Sequence, residues 1–109
     1  MRLEVSEMKL YLKTKTGADA TGDFDPVSKE LTVKKGSQVS ADVHTDGKFR
    51  SANSVLKYRE QYCDGTTVKK DVVFKSASTA ANFVTGRSTN GLITWKSSDG
   101  KTLKSLLTE

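Results

Sequence analysis

Few residues in this chain of 109 could do chemistry. His44 is the only histidine and Cys63 the only cysteine, so a cluster of imidazoles and thiolates around a metal ion cannot be assembled. The two could in principle act as base and nucleophile. Cys63, however, falls on the expected buried face of a helix and His44 in a polar loop, so a packed thiol and a solvent-exposed imidazole describe them better. Gly100-Lys101-Thr102 resembles the end of a phosphate-binding loop, but that motif needs a glycine where Trp95 stands. Asp99-Gly100 reads instead as a hairpin turn. Asp23 and Asp25 are neighbouring carboxylates in a turn-like stretch, where capping of backbone N–H groups suits them better than acid–base work. No G-x-S-x-G, H-E-x-x-H or G-x-G-x-x-G pattern occurs. The expectation is a chain that is not an enzyme and takes no cofactor or metal.

The stretch from Phe74 to Leu103 stands out. Ser76 and Ser78 sit at an expected helix start, where unpaired N–H groups and the helix dipole favour an anion, and Lys75 is adjacent. Arg87 follows directly on the expected end of that helix, with Ser88 and Asn90 after it and Trp95 and Lys96 further on. Arginine, asparagine, serine and an aromatic are the side chains that hold phosphates, read base edges or stack on bases. The candidate nucleic-acid-binding set is therefore Lys75, Ser76, Ser78, Arg87, Ser88, Asn90, Trp95 and Lys96. Structural duties compete for several of them: Ser76 as an N-cap, Asn90 as a turn residue, Trp95 as core or as a lid on an alanine face. Arg87 has the least structural explanation.

The elements that must position these residues follow from periodicity. Met8 to Lys13 alternates apolar and polar residues, as a half-buried strand does. Gly17 to Asp25 reads as an edge strand with Ala18, Ala20 and Phe24 turned one way, and Asp25 to Lys29 as a turn preset by Pro26. Leu31-Thr32-Val33 is a strand stopped at Lys35-Gly36, and Gln38 to Val43 alternates again, so the first half suggests an antiparallel meander. His44 to Lys48 is a loop. The period then changes: Ser51 is a plausible N-cap, Ala52, Val55, Leu56, Tyr62 and Cys63 follow at helical spacing over 52–63, and Gly65 suits a C-terminal cap. Val72-Val73-Phe74 is a short strand. Ala77, Ala80, Ala81 and Val84 form one face of a second helix that Gly86 ends. Asn90-Gly91 suits a tight turn with positive φ. Leu92 to Lys96 is expected as a strand, and Lys101 to Leu107 as the last one. The fold class is thus α+β: an antiparallel sheet meander with two short helices packed on one side. Residues 1–16 read as an N-terminal strand and connecting segment, and 17–109 as a single domain.

Length and composition are consistent with this. A chain of this size buries roughly 65% of its unfolded surface and can fold without staples. A single cysteine excludes an internal disulfide and points to a reducing compartment. Residues 1–13 hold no apolar run long enough for a signal peptide or a membrane span, so a cytoplasmic location and no membrane partner are expected. The net charge is +5, and the excess lies mostly beyond residue 65. A basic face suits a polyanion partner; a solvated surface tuned for solubility is the other reading.

The same residues carry a resemblance to a known family. The chain resembles the small C-terminal domain of unknown function appended to many bacterial GIY-YIG nuclease-fold proteins and to some restriction–modification subunits. It is also similar to the related RAMA module associated with restriction enzymes and adenine methylases. The family pattern is F-x-S-P-S-x-A-A, then G-R-x-x-N-G-W, W-K and G-x-T-L. Here it reads Phe74 to Ala81, Gly86-Arg87-Ser88-Thr89-Asn90-Gly91, Trp95-Lys96 and Gly100 to Leu103, with Val33 to Ser37 matching an upstream V-x-K-G-S. The resemblance covers about residues 17–105. Ala77 stands in place of the proline and Leu92 in place of the first tryptophan, which removes one aromatic able to stack on a base. The resemblance implies a non-catalytic accessory module serving a nuclease or methyltransferase, with DNA as ligand. The alternative is a protein-interaction or structural module with no nucleic-acid role.

Overall fold

The computed structural model describes residues 8–15, 17–40, 52–87 and 89–107. Strands β1 (Met8–Lys13), β2 (Asp19–Phe24) and β3 (Leu31–Val33) form an antiparallel meander. Helix α1 (Ala52–Tyr62) comes next, followed by the hairpin of β4 (Cys63–Asp64) and β5 (Thr67–Val68). Strand β6 (Val72–Phe74) then pairs antiparallel with β3, completing the order β1-β2-β3-β6. Helices α2 (Ala77–Thr85), α3 (Gly91–Thr94) and α4 (Leu103–Leu107) finish the chain. The fold is the expected α+β class with an antiparallel sheet.

Alternation along the strands decides which face is covered. Leu10 and Leu12 of β1, Ala20 and Phe24 of β2, Leu31 and Val33 of β3 and Val72 and Phe74 of β6 all point inward and are buried. Residues between them turn outward, and that outer face is open to solvent, with Tyr11 39% and Val73 56% exposed. Helix α2 packs on the inner face against β3 and β6. Its inward residues Ala77, Ala80, Ala81 and Val84 are the predicted apolar stripe, joined by Phe83. Phe83 meets Phe74 at 5.1 Å between ring centroids, and Phe74 meets Tyr58 of α1 at 5.0 Å, so one aromatic cluster joins both helices to the sheet.

Arg59 ties α1 to the far end of α2. Its guanidinium donates to the carbonyls of Phe83 (2.8 Å) and Val84 (3.2 Å) and to that of Ser40 (2.6 Å). These include carbonyls of the last helical turn, whose dipole favours a cation. Burial pulls the Arg59 pKa below its ordinary value. The group is held by carbonyl oxygens in place of water.

Several elements differ from the sequence reading, each for a physical reason. The polar β2 is not an edge strand but sits between β1 and β3. Its small residues make room: a Cβ on Gly22 would come within 2.7 Å of Leu31 Cδ2 and 3.3 Å of Trp95 Cζ3. Helix α1 stops at Tyr62 and Cys63 opens β4 instead, while Gly65 (φ 65°) serves the β4–β5 turn and not a helix cap. Leu56, expected on the buried face, is 43% exposed. The expected strand at 92–96 is the short helix α3, with only Lys96 making a strand-type bridge. Asn90 causes this: its Oδ1 accepts from Leu92 N (3.0 Å) and its carbonyl from Thr94 N (3.1 Å), which closes a helical turn despite the β-branched Ile93 and Thr94. The expected turn at Asp99-Gly100 forms and Thr102 returns to bridge Lys96, but the rest of the expected last strand is α4, in which Leu103 is buried and Leu106 and Leu107 pack against the core at i+3 and i+4. Of the expected strand at 38–43, Gln38 bridges Asp19 on one side and Thr67 on the other. Its remainder beyond Ser40, the 44–48 loop and the Ser51 cap lie outside the described residues.

Candidate nucleic-acid interface

The helix start that the sequence singled out is built as expected. Ser76 is the N-cap of α2, with extended backbone and an Oγ that accepts from Thr79 N at 3.1 Å. Gly86 closes the helix in the left-handed conformation (φ 74°), its N–H donating to Asn82 O. Lys75 is exposed just before the cap. The chain then doubles back. Thr89 N donates to Asn82 Oδ1 (2.9 Å), and Gly91 N donates to Ser78 Oγ (3.1 Å), which brings Asn90 and α3 beside the first turn of α2. Lys75, Ser76, Ser78 and Asn90 therefore share one end of the domain.

The other candidates lie elsewhere. Arg87 is exposed beyond the C-terminal cap, so the nine residues of α2, roughly 14 Å of helix, separate it from Ser76. Trp95 is fully buried and its Nε1–H donates to Ala77 O at 3.0 Å, so it presents no ring face to a base. This corrects the expectation of a stacking tryptophan: the ring is needed as core under α2 and above Gly22. Ser88 lies outside the described residues. Lys96 is on neither end. It pairs with Tyr11 at the outer edge of β1, Tyr11 N to Lys96 O at 2.7 Å and Lys96 N to Tyr11 O at 2.9 Å. Residues directly paired in this way share a face, so Lys96 stands on the open side of the sheet with Tyr11. The candidate set does not come together: Lys75, Ser76, Ser78 and Asn90 share one end, while Arg87, Trp95 and Lys96 lie apart from it.

Lys96 instead finds cations and an aromatic that the sequence reading had not connected to it. Lys9, Tyr11 and Lys13 are the three outward residues of β1 and all are exposed. The signal was present in the alternation of Met8 to Lys13, which sets Tyr11 on the lysine side and Leu10 and Leu12 on the other. Carboxylates also stand on this face. Asp23 is the partner of Lys9 and Asp19 of Lys13 in the register. Asp23 is engaged by Lys34 Nζ at 3.5 Å, and the same ammonium holds Asp71 at 2.9 Å. The hydrogen bond and charge of Asp71 push the Lys34 pKa up, and the backbone N–H of Lys35 is the largest cause holding the Asp71 carboxyl below its ordinary value.

At the end of the domain where α2 begins, a cavity of about 360 Å³ opens between Phe24, Leu92 and Leu107, with Lys29, Ser76 and Ser78 among its lining residues. Lys29 reaches it from the turn after β2, where it takes a left-handed φ of 68°. Asp25 shapes that turn as the sequence suggested. Its Oδ1 accepts from Val27 N (2.8 Å) and Ser28 N (3.3 Å), and the Val27 bond holds its carboxyl below the ordinary range. Leu92, which lines the cavity, is 39% exposed; Ile93 beside it in α3 is 52% exposed, and Val27, in the same turn as Lys29, is 70% exposed.

Cys63 is buried and burial pushes its thiol above the ordinary pKa, the opposite of an activated nucleophile. No group of three or more potential metal ligands occurs among the described residues. No helix among them is long and apolar enough to cross a membrane.

A protein-family model described as "Domain of unknown function (DUF4357)" matches residues 10–107. No curated protein and no solved structure matches the chain.

Proposed function

The chain belongs to the DUF4357 family of domains of unknown function, and from that premise we propose that it is a non-catalytic accessory module that binds nucleic acid, DNA in the first instance, on behalf of a nuclease or methyltransferase. The observation that carries this reading is the row of exposed lysines on the uncovered face of the sheet, where Lys96 stands opposite Tyr11 with Lys9 and Lys13 along the same strand. A net charge of +5 supports it. So does the resemblance to modules appended to GIY-YIG nuclease-fold proteins and to RAMA domains, which supplies the partner class. Phosphate contacts dominate such binding, and each releases counterions, so affinity falls steeply with salt. The test is fluorescence anisotropy of labelled DNA against the full chain at two salt concentrations. Affinity is expected to drop at the higher salt, and Lys96→Glu to weaken binding more than Arg87→Glu. Absence of binding at low salt, or affinity indifferent to salt, refutes the reading.

The cavity supports a second reading, a protein-docking module. Phe24, Leu92 and Leu107 give the cavity an apolar lining, and Leu92 and its neighbour Ile93 are exposed apolar side chains that a solvated surface does not need. If the partner nuclease or methyltransferase subunit docks here, Leu92→Asp with Ile93→Asp abolishes co-elution with it in gel filtration while DNA affinity is unchanged. Co-elution undiminished in that variant removes this reading.

A further inference from the structure

We propose that Tyr11 is a stacking platform for an unpaired base, so that the module prefers single-stranded nucleic acid to duplex. This inference rests on the nucleic-acid reading above and names the form of its ligand. Tyr11 lies mid-strand on β1, yet the core does not use it: Leu10 and Leu12 fill the inner face while Tyr11 stays 39% exposed on the outer one. The exchanged pair of hydrogen bonds with Lys96 (2.7 and 2.9 Å) makes these two a closely bonded antiparallel pair, with Cα atoms about 5.5 Å apart. Lys9 and Lys13, two residues away along the strand, stand about 7 Å to either side. Tyr11 thus has lysine residues as its neighbours on three sides of the same face.

The carboxylates of the same face have partners that limit their effect. Asp23 shares Lys34 with Asp71, at 3.5 Å against 2.9 Å, so it is partly neutralised opposite Lys9, and Lys96 is the lysine of this group with no carboxylate opposite it in the strand register. Asp19, opposite Lys13, is the acid that opposes binding. A base can lie on a tyrosine ring only when its own face is free, and in a duplex both faces are covered by neighbouring pairs. Stacking on an aromatic combined with flanking cations is the general means by which proteins hold single strands without reading sequence.

The experiment uses the full chain and four fluorescently labelled probes of equal length: oligothymidylate, oligouridylate, a mixed-sequence single strand and its duplex. Single strands are expected to bind more tightly than the duplex. Tyr11→Ile, which keeps a good strand former but no ring, is expected to weaken single-strand binding at least about fivefold, while Tyr11→Phe stays close to the native chain. Lys96→Glu weakens all probes and flattens the salt dependence. Asp19→Asn strengthens binding. Far-UV circular dichroism and melting curves confirm that each variant is folded. Loss of oligouridylate and oligothymidylate binding together in Tyr11→Ile supports the platform for either sugar, and the tighter of the two identifies the backbone. If Tyr11→Ile binds single strands as the native chain does while DNA binding persists, the platform is wrong and the module reading stands. If no probe binds at all, the module reading itself fails.

Discussion

Replacing Gly91 by alanine tests the account of how the C-terminal half closes on the sheet. A Cβ at this position would lie 2.3 Å from Ala77 C, 2.4 Å from Ala77 O and 2.5 Å from Ser78 N. Carbon atoms in ordinary contact sit about 3.5–4.0 Å apart, so α3 must withdraw by more than about 1 Å. The obstacle is the backbone of α2, which cannot rotate away as a side chain does. The withdrawal breaks the Gly91 N–Ser78 Oγ bond (3.1 Å) and strains the Trp95 Nε1–Ala77 O bond (3.0 Å). Overpacking costs about 1–3 kcal/mol and a lost hydrogen bond about 1 kcal/mol. The expected loss is therefore about 2–4 kcal/mol, a large share of the 5–15 kcal/mol typical of a domain. In urea this shifts the midpoint down by about 1–2 M. Trp95 is the single tryptophan, so its emission reports directly on the site and should move to longer wavelength in the folded variant. Gly100→Ala is the comparison: nothing lies within 4 Å of the added methyl there and only its φ of 88° is penalised, at about 1–2 kcal/mol. If Gly91→Ala unfolds at the same urea concentration as Gly100→Ala, with unshifted emission, the close approach of α3 to α2 is wrong.

Other outcomes follow from the same geometry. Trp95→Phe removes the indole donor to Ala77 O, which keeps its partner within α2, and leaves a smaller ring in the core; a cost of about 2 kcal/mol in urea unfolding is expected. Arg59→Met keeps most of the side-chain volume but removes the bonds to Ser40, Phe83 and Val84; a loss of about 3 kcal/mol is expected, seen as a lower melting temperature. Asp71 has its carboxyl held below the ordinary 3.8, and a lowered folded-state pKa contributes stability that is present above that value and lost as pH falls through the folded one. The stability gap between the native chain and Asp71→Asn should therefore be constant above about pH 5 and close below pH 4 in melts run across that range. Cys63 is buried with a raised pKa, so a thiol reagent at pH 8 should label it only as fast as the domain unfolds.

The parts of the fold written in local periodicity were legible. The alternation of Met8 to Lys13, the alanine stripe of α2, its Ser76 cap and its Gly86 stop all appear as the residues suggest. What was not legible depends on distant contacts. Gly91 looked like a turn glycine needing positive φ, but it is a glycine because Ala77 leaves no room for a Cβ, and Ala77 is far from it in sequence. Helices α3 and α4 are too short for a period to show; Asn90 and the burial of Leu103 decide them. The candidate site split for a similar reason. Ser78 accepts from Gly91 N across the α2–α3 return, which sets Asn90 beside the first turn of α2 that Ser76 caps, whereas Lys96 belongs with Tyr11, a pairing that no local pattern announces.

The bridge between Tyr11 and Lys96 joins one of the first described strands to a residue near the C-terminal end of the chain, and Trp95 beside it fills the centre of the core. A nascent polypeptide emerging from the ribosome thus holds β1 with an unmated outer edge until almost all of the domain has been synthesised. The tryptophan that plugs the inner face arrives at the same moment. Translation pauses between the codons for β1 and those for Trp95 and Lys96 would prolong an intermediate with an open strand edge and an empty core, the state in which self-association through β1 competes with completion of the fold.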